Sequence, residues 1–129
     1  MVDPIEQEIL NKGLTAPRIT PADVEANIVD EHYFTAGQGD AKAVEDAAFS
    51  GGALDAAASR ATPDALHLLT FCVLVLRNGF TVTGESACAS PENFDAEVGR
   101  KIARRNAVDK IWPLMGYELK SKLHQLEQY

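Results

Sequence analysis

Cysteine is scarce. Cys72 and Cys88 are the only two among 129 residues, too few for the disulfide framework of a small secreted domain, and their spacing matches neither a zinc ribbon nor a Cys-x-x-Cys redox pair. Aromatic residues make up 7% of the chain, so few large rings are available to a core. The longest apolar run, residues 66–76, is interrupted by His67 and Thr70 and falls short of the roughly 18 to 20 residues that span a bilayer. The start of the chain carries Asp3, Glu6 and Glu8, whereas a secretory leader needs a basic start and an apolar stretch. The protein is therefore expected in the cytoplasm, with no membrane partner. An excess of positive charge is absent as well: 12 Lys and Arg face 19 Asp and Glu, a formal net charge of -7. The field of such a molecule disfavours general binding to nucleic acid.

What is present suits one soluble domain: 46% hydrophobic and 24% charged residues over a length that supports a single core. Charge divides unevenly, with twelve acids against four bases up to Asp64 and seven acids against eight bases beyond it. Residues 1–19 read as an N-terminal arm and 20–129 as one α+β domain. Thr20-Pro21-Ala22-Asp23 is a helix start: Thr20 can cap, Pro21 suits the first position and Asp23 favours the positive end of the dipole. With Val24, Ile28, Val29, His32 and Tyr33 following, the pattern predicts an amphipathic helix over 21–34. Residues 36–64 hold ten alanines and four glycines and read as a flexible insertion.

The sharpest local signal is the β-prone run 68–77, then Asn78-Gly79, then Phe80 to Thr83. Asn-Gly between two such runs predicts an antiparallel hairpin with a two-residue type I′ turn. That turn would pair Arg77 with Phe80, Val75 with Val82, Val73 with Gly84 and Cys72 with Glu85. Phe71, Val73, Val75, Phe80 and Val82 then form the core face, and Cys72, Leu74 and Leu76 the other. In this register Cys72 and Cys88 point to opposite faces as free thiols. The first strand is apolar on both faces, and an isolated ribbon is marginal in water, so the N-terminal helix or a second copy should cover it.

Ser90-Pro91-Glu92-Asn93 predicts a second helix capped by Ser90. Along it Gly99, Ala103 and Ala107 recur every four residues as a small-residue ridge for close packing, on the hairpin or on a second copy. Trp112-Pro113 should end or kink this helix, and Met115, Leu119, Leu123 and Leu126 mark a last amphipathic helix. The fold class is thus α+β: a short N-terminal helix, a β-hairpin and two C-terminal helices, with homo-oligomerisation expected.

Chemistry-bearing patterns are sparse. Gly84-Glu85-Ser86-Ala87-Cys88 resembles a nucleophile elbow only in part, because Cys88 replaces its final glycine and His32, His67 and His124 are isolated. A small hydrolase or nucleotide-processing enzyme using Ser86, Glu85 or Cys88 remains an alternative reading, but no catalytic residue, metal site or cofactor is assigned. Arg100, Lys101, Arg104, Arg105 and Lys110 form a basic stretch. It reads either as a solvated face, with Glu97–Lys101 and Arg105–Asp109 pairs, or as a cradle for ligand phosphates built on Arg100, Arg104 and Arg105. Thr81, Thr83, Glu85 and Ser86 add hydroxyl and carboxylate groups near the second helix start and complete the candidate ligand-binding set.

The run NGFTVTGESACASPENFD over 78–95, followed by GRKIARRNA over 99–107 and KIWPL over 110–114, resembles a family of small tailed-phage and prophage proteins named for gene products 49 and 66 of two phages. The resemblance covers residues 20–35 and 64–123 and leaves the alanine-rich middle outside. It implies a phage or prophage accessory protein acting in the host cytoplasm and carries over no catalytic residue. The expected function is a non-enzymatic, oligomeric binding module, one that sequesters a small phosphate-bearing nucleotide as counter-defence. The alternative partner is a host protein bound through the acidic first half.

Overall fold

The computed structural model describes residues 3–49 and 60–128. Helix α1 (Pro4–Asn11) is capped by Asp3, whose carboxylate accepts from the Ile5 and Glu6 amides. Helix α2 (Pro21–Ala26) opens on a capping box in which Thr20 Oγ1 accepts from the Asp23 amide and the Asp23 carboxylate from the Thr20 amide. Strand β1 (Ile28–Thr35) follows directly, then α3 (Ala36–Ala48), itself opened by a Thr35–Gln38 capping box. A 3₁₀ turn (Asp64–Leu68) leads into β2 (Leu69–Leu76), β3 (Thr81–Ala87), a second 3₁₀ turn (Pro91–Asn93) and the 32-residue α4 (Ala96–Glu127). The strands form an antiparallel sheet in the order β1-β2-β3, and α4 lies across one face of it.

Within the stretch expected as an N-terminal arm, Pro4–Asn11 is the helix α1. Arg18 makes a two-pronged ion pair with Glu6, and Ile5, Ile9 and Trp112 share the wall of a small cavity, so α1 folds back toward α4. The helix expected over 21–34 stops at Ala26, because Asn27 and the β-branched Ile28 and Val29 suit a strand entry. The freed chain pairs with β2 instead, and the expected two-stranded hairpin is a three-stranded sheet. The start of the supposed flexible insertion is helical as α3, tied down by Arg60 Nη1 on Asp40 Oδ2 at 2.9 Å. Its stretch 50–59 lies outside the described residues.

The hairpin register is one residue away from expectation. Leu74 faces Val82, Cys72 faces Gly84 and Thr70 faces Ser86. Gly79 alone in this turn has a positive φ, +87°, and among the described residues no non-glycine residue does, which excludes type I′, where Asn78 would need one too. The loop is instead the longer turn closed by Leu76 and Phe80, with the Gly79 amide donating to the Leu76 carbonyl and the Asn78 side chain accepting from the Phe80 amide. One slipped position moves every β2 side chain to the other face relative to β3. The core face is Thr70, Cys72, Leu74 and Leu76 with Val82 and Gly84, all buried, while Phe71, Val73 and Val75 are only partly covered.

Helix α4 supplies the cover for that face. Gly99, Ala103, Ala107 and Ile111 recur at four-residue spacing and are buried against the sheet. The small-residue ridge is thus used inside the protomer and is closed to a second copy. Two expectations for this helix also change. Asp95, not Ser90, caps it, accepting from the Val98 amide at 2.9 Å, and Ser90 opens only a 3₁₀ turn without a side-chain bond. The helix also runs through Pro113 without ending. Proline forfeits one backbone bond there, yet Ile111 and Met115 either side of it both pack on the core, and that shared packing carries the helix across. The cysteines are free. They do not point to opposite faces by strand alternation; Cys88 lies beyond β3 with its amide on the Leu68 carbonyl, about four residues or ~13 Å along the strand from Cys72, beyond disulfide reach.

Candidate functional site

A cavity sits where β1 runs into α3 and α4 begins. It has a volume of about 420 Å³ and is lined by Tyr33, Phe34, Thr35, Gln38, His67, Thr70, Phe94, Ala96 and Arg100. Each wall has a local cause. The Thr35–Gln38 capping box turns the chain from strand to helix and fixes both side chains at the rim. Gly37 is buried beneath His67, and a Cβ there would enter the imidazole ring, so glycine is what lets the ring approach the start of α3. Phe34 stacks obliquely on Phe71, centroids 5.9 Å apart, and stays 40% exposed.

At the floor is Thr70. It is 3% exposed, and its Oγ1 is a buried side-chain oxygen without a hydrogen-bond partner among the described residues. Burying an unpaired hydroxyl costs about 1 to 3 kcal/mol, so such a group is expected to have a use. Tyr33 lies beside Cys72 on the α4 side of the sheet, and burial, reinforced by that thiol, pushes its phenol up to about 12. The phenol donates to Glu31 Oε2 at 3.4 Å. Above the floor, Arg100 is exposed, and among the described residues no carboxylate pairs with it.

The structure disperses the expected ligand set. Of the arginines, only Arg100 reaches the cavity. Arg104 points toward the sheet edge, where Nε donates to Glu31 Oε1 at 2.7 Å and Nη2 to Glu25 Oε2 at 2.8 Å. Those two carboxylates raise its pKa and it lowers that of Glu25, so its charge is already matched within the fold. Arg105 is exposed on another side of α4, and the expected Arg105–Asp109 pair does not form, whereas Glu97–Lys101 does, at 3.2 Å. Thr81, Thr83 and Glu85 are exposed on the open face of the sheet, opposite α4. Ser86 is half-buried and is the cross-strand neighbour of Thr70, beside the cavity floor.

The remaining cavity residues escape pattern reading, because three separate segments contribute them. One signal was visible: His67 and Thr70 are the two polar interruptions of the longest apolar run, and both line this cavity. Among the described residues no three His, Cys, Asp or Glu side chains gather as a metal site, and no helix is long and apolar enough to cross a membrane.

No curated protein and no solved structure matches the chain. A family of phage proteins does match, over residues 19–123, a range that also spans the alanine-rich middle. That match takes in every residue of the cavity and most of α4, and by it the chain belongs to the phage protein family described as N4 Gp49/phage Sf6 gene 66.

Proposed function

We propose that this phage protein is a non-enzymatic accessory module that captures a small ligand carrying both an aromatic ring and a phosphate, a nucleotide, in the cavity between β1, α3 and α4. The observation that carries the reading is an exposed guanidinium, Arg100, without a carboxylate partner among the described residues, at an aromatic-walled cavity whose floor residue, Thr70, keeps a buried hydroxyl without a hydrogen-bond partner. Tyr33 and Phe94 offer surfaces on which a base can stack, and Arg100 supplies a planar donor set suited to phosphate. Thr70, Gln38 and His67 supply the few polar contacts that fix orientation in a mostly apolar site, and the volume lies within the range of small-molecule sites.

Sequestration of a nucleotide signal in the infected host's cytoplasm is the role such a module would serve. The reading of the acidic half as a bait for a host protein has less support. Glu6, Glu25, Glu31 and Asp40 are each held in an ion pair within the fold, so much of that charge is internally matched.

Isothermal titration calorimetry with nucleoside monophosphates and cyclic dinucleotides tests the proposal. Binding that Arg100→Glu weakens at least tenfold, with the fold intact by circular dichroism, supports it. Absence of binding by all of these up to millimolar concentration, or binding indifferent to Arg100→Glu, overturns it.

A further inference from the structure

The 32 residues of α4 extend about 48 Å at 1.5 Å per residue, whereas the eight-residue strand β2 it crosses extends only about 26 Å. Burial along α4 accordingly ends at Ile111, with Met115 still touching the core. Past that point the helix overhangs the sheet, and its apolar residues continue without cover. Gly116, Leu119, Leu123 and Leu126 recur at spacings of three, four and three, the seam of a two-stranded coil. Leu126 is 71% exposed, Leu119 and Leu123 are partly exposed, and a Cβ on Gly116 would meet nothing within 4 Å.

We propose that this overhang is the dimer interface of the protein and that its occupant is a second copy of the same helix, parallel and in register. Charge selects both partner and direction. The positions flanking the seam carry Lys120 and Glu127 on one side and Lys122 on the other. In a parallel pair Lys122 of one copy faces Glu127 of the second, five residues on, and the contact occurs twice by symmetry. An antiparallel pair that sets Leu119 against Leu123 would instead bring Lys120 against Lys120 and Lys122 against Lys122. The existing Lys122–Glu118 pair within the helix, at 3.2 Å, leaves Glu127 open to this contact, since among the described residues its ion-pair neighbour is His124, at 4.0 Å.

Sedimentation equilibrium of the full chain at high micromolar concentration tests the proposal. Twice the mass of one chain is expected, and Leu119→Asp with Leu123→Asp should give a monomer that retains its thermal unfolding transition. Lys122→Glu should weaken association at least tenfold, and Lys122→Glu combined with Glu127→Lys should restore it. Leu126→Cys in a Cys88→Ser background should cross-link readily on oxidation, since a parallel register places the two introduced sulfurs side by side. A monomeric wild-type chain, an assembly unmoved by the leucine and lysine changes, or a dimer of the Leu126→Cys variant that fails to cross-link each overturn it.

Discussion

Gly84 of β3 and Ala107 of α4 meet backbone to backbone: a Cβ on Gly84 would land on the Ala107 amide nitrogen and the Ala103 carbonyl oxygen. The Asn106 side chain clasps the same place, donating from Nδ2 to the Glu85 carbonyl at 2.8 Å. Because the obstacle is helix backbone, α4 can make room only by moving as a body. Gly84→Ala is expected to destabilise the protein by about 2 to 4 kcal/mol, read as a fall in the urea midpoint. A loss under about 1 kcal/mol would show that the helix is not seated this tightly.

Gly99 faces a softer neighbour. A Cβ there would lie 3.1 Å from Thr70 Oγ1, a side chain that can shift slightly, and alanine improves helix propensity by about 1 kcal/mol over glycine. Gly99→Ala should therefore change stability little, while Gly99→Leu should lift the start of α4 and unfold the protein or lower its midpoint severely. Equal midpoints for Gly99→Leu and wild type would show that the ridge is not in contact.

Thr70→Val separates stability from binding. Valine fills the same space without the unpaired hydroxyl, so the empty protein should be as stable as wild type or more so, by about 1 kcal/mol. Nucleotide affinity should nonetheless fall several-fold in titration calorimetry. Unchanged affinity would remove Thr70 from the proposed site.

The Arg104 bridge carries a pH dependence of defined sign. Glu25 has a pKa lowered from its ordinary 4.5, first by the hydrogen bond from Arg104 and then by its charge, against partial burial. A carboxylate held below its unfolded value contributes stability above that unfolded value and loses it as pH falls through the folded one. Arg104→Ala should cost about 1 to 2 kcal/mol at neutral pH, a modest figure because the pair is partly exposed, and the difference from wild type should shrink below pH 4.5. A difference constant from neutral to strongly acidic pH would show that the ion pair is not its source.

At the hairpin turn, Gly79 holds φ +87° with open space around it. Gly79→Ala should thus cost about 1 to 2 kcal/mol from backbone strain alone. Asn78→Ala should cost less, since it forfeits only the single bond to the Phe80 amide at 2.9 Å. The ordering of the two denaturation midpoints checks it.

Local chemistry was legible where a few adjacent residues decide the outcome. Thr20-Pro21 capped a helix, Asn78-Gly79 made a turn, and Gly99, Ala103 and Ala107 marked close packing, all because caps, turns and ridges answer to spacings of a few residues. What failed hung mostly on partners distant in sequence, with the Ser90 cap and the type I′ turn as local exceptions. Ile28 to Phe34 fits a helix stripe about as well as a strand, and only pairing with β2 makes it β1. Pro113 reads as a break until the core contacts of Ile111 and Met115 outweigh its missing bond.

The α+β class, the β-prone hairpin, the family and the acidic balance could all be read from the order of residues, since composition and short-range pattern are properties of the chain alone. Long-range packing set the register of the hairpin, which a turn of two residues or three shifts by one position and so exchanges the core face for the open one. Packing also decided which arginine stands unpaired at the cavity. Arg100 and Arg104 lie one helical turn apart and look alike in the sequence, but Glu25 and Glu31, brought beside Arg104 by the folding of α2 and β1 against α4, neutralise it and leave Arg100 alone at the cavity.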